Sequence, residues 1–177
     1  MTLYVPIGPP GCGKSSLGKK MVQYGIITSD AIVSSDAIRE LISGDPMNQD
    51  CTPVAFRIVD LILEYRLKNN LHVYMDATNL TAKPRSLMLD KALGYKQNIV
   101  IYLTSLTEDQ ILERNSSDHR VKNGTVVPDH AMERMFQRMK DARTLFGVDR
   151  PEWMPYSVAS MEDAHKMLDF RWPKFEV

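Results

Sequence analysis

Cysteine is nearly absent from this chain, and its two copies, Cys12 and Cys51, exclude both a disulfide framework and a cysteine-built metal cluster. Such scarcity suits a reducing compartment. An excess of one charge is missing as well. The 22 lysines and arginines balance 22 aspartates and glutamates, so no global field draws the chain toward nucleic acid or anionic lipid. Any polyanion has to be held by a local patch. No apolar run approaches the roughly 20 residues that span a bilayer. The opening MTLYVPIGPP has neither the basic start nor the cleavage site of a secretory leader. The expectation is a soluble protein of the cytoplasm, a host's cytoplasm if the chain is phage-encoded, with no membrane partner.

What is present is an ordinary globular mixture in 177 residues, enough for one well-packed domain and too few for a second large one. A single domain over 1–177 is expected. Short apolar runs at 3–7, 31–33, 71–75 and 98–103 predict strands, with stretches of helical periodicity between them. Pro53, Pro84 and Pro128 mark helix starts, and Thr107 is placed to cap a helix carrying Ile111, Leu112 and Arg114. An edge strand is predicted at 153–158 and a last helix at 161–168. Residues 45–52 and 116–127 are polar, without periodicity, and read as loops. The alternation predicts an α/β fold, a parallel sheet flanked by helices.

The stretch GPPGCGKS at 8–15 fits G-x-x-x-x-G-K-[ST] at every fixed position, after an apolar strand and before a helix. Glycines let successive backbone N–H groups turn inward around a phosphate, and the helix adds its positive end. Gly8, Gly11, Cys12, Gly13, Lys14, Ser15 and Ser16 are therefore the candidate ATP-binding residues, with Cys12 a spacer. Lys14 reaches the β- and γ-phosphates, and Ser15 supplies an oxygen to Mg²⁺. An N-K-x-D element for reading guanine is missing, which favours ATP over GTP.

Candidates for the other substrate lie at the ends of later strands, where ligands sit in such sheets. Asp36 and Arg39 share a face at the start of a helix, one suited to accept a hydroxyl proton and the other to hold an anion. The alternative is a helix cap and a solvated ion pair. Asp76 is a candidate for holding the water shell of the metal or for fixing Ser15. Thr78 and Asn79 either bond the acceptor or organise the turn. Arg114, His119, Arg120 and Lys122 make a basic lid over about 114–127, and fork-shaped guanidinium groups suit the charge of a transferring phosphoryl group. Arg134 and Arg138 lie four apart on the next helix, and a solvated face opposite Met132, Met135, Phe136 and Met139 is the favoured role for them.

Taken together, GPPGCGKSS at 8–16, VSSDAIRE at 33–40, DATN at 76–79, and ERNSS with Arg120 followed by VVPDHAMERM at 126–135 resemble the kinase module of 5'-hydroxyl polynucleotide kinases, of both the bacteriophage and the bacterial RNA-repair kind. The resemblance covers roughly the first 145 residues in order. It implies a P-loop NTPase fold with a lid, ATP and Mg²⁺ as cofactors, and the 5'-hydroxyl of single-stranded RNA or DNA as acceptor. By the same resemblance Asp36 takes the general-base role, Arg39 contacts the phosphate beside the acceptor nucleotide, and Arg114 and Arg120 are lid arginines near the transferring group. The phosphatase element D-x-D-G-T does not occur, so kinase activity without phosphatase activity is expected. The other reading is a P-loop kinase of a small molecule such as a nucleoside, sugar acid or sugar nucleotide, which zero net charge favours. A nucleotide-dependent switch is the non-enzymatic alternative.

Overall fold

The computed structural model describes residues 1–146 and 156–171. Its centre is β1 (Thr2–Ile7), buried from Leu3 onward, whose consecutive apolar residues suit a strand covered on both faces. Around it runs a five-stranded sheet in the order β2-β3-β1-β4-β5, comprising β2 (Ile32–Ser34), β3 (Val73–Asp76), β4 (Asn98–Leu103) and β5 (Ser157–Ser160). Every pairing is parallel. Tyr4 stands opposite Tyr74 on one side and Val100 on the other.

Helices connect these strands: α1 (Lys14–Gln23), α2 (Ser35–Ser43), α3 (Thr52–Lys68), α4 (Ala82–Gly94), α5 (Glu108–Asn115), α6 (Asp118–Lys122), α7 (Asp129–Phe146) and α8 (Met161–Arg171). Their ends follow local chemistry. The Ser34 hydroxyl accepts from the Ala37 amide at 3.3 Å to start α2, which Gly44 ends at φ 74°. Thr107 caps α5 in a reciprocal capping box with Gln110, as its position predicts. Met132, Phe136 and Met139 form the buried stripe of α7.

Several expectations need correction. A 3₁₀ turn at Ser29–Ala31 delays β2 by one residue, and Leu71 is exposed, with β3 starting only at Val73. Residues 116–127 are not all loop, since α6 forms there, acidic in its first turn and basic in its last. The edge strand lies at Ser157–Ser160, and the 153–155 part of its predicted span falls outside the described residues. The final helix continues to Arg171.

Two contacts fix where the carboxyl edge of the sheet meets its neighbours. The fully buried Tyr74 donates its hydroxyl to the Lys14 carbonyl at 2.5 Å, tying β3 to the first turn of α1. On the far side, Glu162 of α8 accepts from the Thr104 hydroxyl (2.7 Å), the Ser105 amide (2.8 Å) and the Ser105 hydroxyl (2.9 Å) in the loop after β4. Burial alone raises the Glu162 carboxyl, but these hydrogen bonds outweigh it and hold it below the ordinary range.

Helix α1 approaches β3 this closely because residue 18 is glycine. A Cβ there would lie 2.9 Å from Cε1 of Tyr74. Gly18→Ala gains about 1 kcal/mol of helix propensity and loses about 1–3 kcal/mol to overpacking. The expected result is a melting temperature lowered by up to a few degrees; a raised value contradicts the close packing.

Candidate active site

The phosphate loop depends on two left-handed glycines, Gly11 at φ 88° and Gly13 at φ 96°, a region that other residues enter at a cost. The first intrahelical bond of α1 runs from the Leu17 amide to the Gly13 carbonyl at 2.9 Å, so the amides of residues 13–16 precede the helical ladder at its positive end. Gly8 has a different job. Its amide donates to the Thr78 carbonyl at 3.1 Å, and a Cβ there would run into the buried Cys12 sulfur. Cys12 therefore packs the loop from behind, in keeping with a spacer.

Lys14 is nearly buried. Its ammonium donates to the Gly8 carbonyl (2.9 Å) and the Pro9 carbonyl (2.8 Å), folded back into its own loop. Next to it, the Ser15 hydroxyl donates to Asp76 at 3.1 Å, which joins the first turn of α1 to the end of β3. Burial raises the Asp76 carboxyl above the usual carboxylate range. The Ser15 hydrogen bond and the Lys14 charge pull it back, and the nearby Asp36 charge adds to the rise. Among the described residues no group of three His, Cys, Asp or Glu side chains is placed to hold a metal. The Ser15–Asp76 pair nevertheless fits Mg²⁺, which takes few protein ligands and keeps its waters and phosphate oxygens.

Across the cleft stands Asp36 in the first turn of α2. One of its oxygens, Oδ1, accepts from the Ser35 hydroxyl at 3.2 Å and from the Arg39 guanidinium. Among the described residues no hydrogen bond runs to its Oδ2, and the side chain is 64% exposed. Arg39 is buried rather than extended into solvent, and its Nε donates to the Pro46 carbonyl at 2.8 Å. It braces the 45–52 loop and orients Asp36 at the same time.

A cleft of about 880 Å³ brings these groups together with the lid. Gly11, Gly13, Lys14, Ser15, Ser16, Asp36, Arg39, Asp76 and Thr78 line it, and so do Arg114, His119 and Arg120. Arg120 donates to the Thr125 carbonyl inside the lid, while its Nε is buried without a partner among the described residues. Burial lowers the Arg120 pKa, and the Asp36 charge opposes that shift, so the two face one another electrostatically. Lys122 is not among the residues lining the cleft. Asn79, at φ 51°, gives its amide to the carbonyls of Pro6, Met75 and Ala77, the turn-organising role of the two open to it.

Arg138 keeps the exposed helix face expected for it, and from there it lines the cleft and donates to the Thr81 hydroxyl at 3.4 Å. Two contributors escape a reading of the sequence. Asn115 is buried and clasps both ends of the lid, giving its amide to the Val127 carbonyl (2.8 Å) and accepting from the Val127 amide (3.1 Å). His165 of α8 sets its Nε2 3.3 Å from the Gly13 carbonyl, and no motif marks it.

This architecture recurs in solved structures. A provisionally assigned kinase from Chloroflexus aurantiacus superposes with a TM-score of 0.60 at 14% identity, over 96% of each chain. A gluconokinase from Sinorhizobium meliloti gives 0.52 at 15% identity, over 96% of this chain and 91% of that one. Shikimate kinase from Acinetobacter baumannii, solved with shikimate, gives 0.53 at 17%, over 96% and 92%. At such identities the likeness establishes the fold alone, a parallel sheet flanked by helices, and two of the three are by name a gluconokinase and a shikimate kinase. No curated protein matches the sequence. The AAA domain family matches residues 3–142, most of the chain, and the protein belongs to that family.

Proposed function

We propose that the protein is an ATP-dependent phosphotransferase that moves the γ-phosphoryl group directly onto a hydroxyl. One observation carries this: a single cleft is lined by the phosphate loop on one side, a carboxylate with an open oxygen on the other, and lid arginines between. The amides of residues 13–16 receive the phosphates, and Lys14 exchanges the Gly8 and Pro9 carbonyls for phosphate oxygens. When bound there, Mg²⁺ held near Ser15 and Asp76 offsets charge on the phosphates. Asp36, held through Oδ1 by Ser35 and Arg39, presents Oδ2 to the acceptor hydroxyl and takes its proton. Arg114 and Arg120 stabilise the charge spread over the transferring group. The lid segment clasped by Asn115 excludes water.

Two acceptor classes fit. A small hydroxylated anion is supported by the fold's likeness to gluconokinase and shikimate kinase and by the zero net charge, and the comparisons back it better. The 5'-hydroxyl end of RNA or DNA is supported by the Ser-Asp-x-x-Arg, DATN and lid motifs together. Both use the same donor site and the same base. They differ in what Arg39, Arg138 and Lys19 would meet in the cleft.

Incubation with γ-labelled ATP, Mg²⁺ and a panel of 5'-hydroxyl oligonucleotides, nucleosides, gluconate and shikimate tests the assignment. Label is expected on the hydroxyl of one class. Phosphate release that no hydroxyl increases contradicts it. With the acceptor found, Asp36→Ala is expected to lower kcat by about 10²–10⁴-fold. The KM for ATP should stay within about threefold. A comparable loss of ATP affinity returns Asp36 to a structural role.

The raised pKa of Asp76 implies a second outcome. A carboxyl whose pKa is higher folded than unfolded costs stability in full above the folded value, and the cost fades as pH falls from the folded value to the unfolded one. Asp76→Asn is therefore expected to raise the melting temperature of ATP-free protein at pH 7 while lowering activity. The stability gain should narrow as the pH falls through the carboxylate range. A variant less stable at pH 7 contradicts the burial argument.

A further inference from the structure

Helix α3 is apolar on two opposite sides. Ala55, Val59, Leu63 and Leu67 form its buried stripe against the core. A surface helix is normally polar on the other face. Here that face carries Val54, Ile58, Leu61 and Tyr65, spaced by four, three and four residues, the repeat of a seam between two helices. Leu61 is 68% exposed and Tyr65 65%, Val54 is exposed as well, and Ile58 is half-buried between them. None of the four lines the catalytic cleft.

Charges along this helix are left without partners in a definite order. Asp50 lies just before its first turn and Lys68 in its last, both exposed, and among the described residues neither forms an ion pair. Arg57, exposed beside the apolar row, forms none either. Three and seven residues on, along the same flank, Asp60 and Glu64 share the single Lys91 ammonium at 2.6 and 3.4 Å, which leaves one negative charge over. Each surplus charge near one end of the helix thus has its opposite nearer the other end.

We propose that the outer face of α3 is the seam of a symmetric dimer, on which a second copy of this chain lays its own α3 antiparallel. A two-fold axis passing between residues 59 and 60 sets Val54 against Tyr65 and Ile58 against Leu61 of the second copy, and the reverse. The same axis brings Lys68 to the other copy's Asp50, and Arg57 to its surplus carboxylate at Asp60 and Glu64. A parallel pairing would instead set lysine on lysine, arginine on arginine and aspartate on aspartate. Apolar burial drives the contact, and the charges fix its direction and register. This self-complementarity favours a second copy over an unrelated acidic or basic partner. The inference stands apart from the phosphotransferase reading.

Sedimentation equilibrium of the full chain at micromolar concentration tests the seam. The wild type is expected at twice the mass of the chain and Leu61→Glu at the mass of one chain, with the circular-dichroism spectrum of the folded protein kept. A wild type that stays monomeric leaves this face to another protein and overturns the proposal, and so does a dimer that survives Leu61→Glu. The charges are tested separately, in variants that leave the apolar row intact. Lys68→Asp and Asp50→Lys are each expected to raise the dimer Kd about tenfold, because every substitution acts at both ends of the seam. The double variant Lys68→Asp with Asp50→Lys should return to within about threefold of the wild type. A double variant that dimerises no more tightly than the single ones overturns the antiparallel pairing, whether or not Leu61→Glu folds.

Discussion

The site depends on the grip of β3 on two consecutive residues of α1. Tyr74 holds the Lys14 carbonyl and Asp76 holds the Ser15 hydroxyl, so one strand sets both the backbone and the side chain at the mouth of the phosphate loop. Gly18 makes the grip possible by letting the helix rest against the Tyr74 ring. The same strand end continues into the 76–79 turn, where the Thr78 carbonyl takes the Gly8 amide and Asn79 ties the ends of β1 and β3. The donor side of the cleft is thus fixed by the sheet itself.

Electrostatics on the acceptor side are arranged differently. The chain has no net charge, yet Lys14, Arg39, Arg114, Arg120 and Arg138 meet around one cleft, where Asp36 and Asp76 are the carboxylates among the described residues that line it. Positive charge is concentrated by the topology rather than by composition. Arg39 and Lys14 are both engaged by protein oxygens, so their charges are stored near the loop and released to a ligand only by exchanging partners.

Much of this was legible in the sequence because it is local. The loop at 8–15, the Thr107 cap, and the carboxylates at the ends of β2 and β3 follow from residues within a few positions of one another, whereas the cap of α2 is Ser34 and not Asp36, the residue weighed for it. The alternation of short apolar runs with helical periodicity likewise gives the parallel sheet. What was not legible is long-range. Asn115 closes on Val127, Arg138 reaches Thr81, and His165 reaches Gly13, each across a separation that periodicity does not encode. Arg39 shows the intermediate case. Its place on the ligand edge follows from spacing, while its burial against Pro46 and its hold on Asp36 require the folded 45–52 loop. The strand starts at 32 and 73 moved because a 3₁₀ turn and an exposed Leu71 replaced extended backbone.

Direct transfer between groups on opposite walls of one cleft has a stereochemical signature. The most direct measurement is the configuration at phosphorus after transfer from ATP made chiral at the γ-position with oxygen isotopes. A single in-line displacement by a hydroxyl beside Asp36 gives inversion. Retention shows an even number of displacements through a phosphorylated intermediate, and contradicts the account.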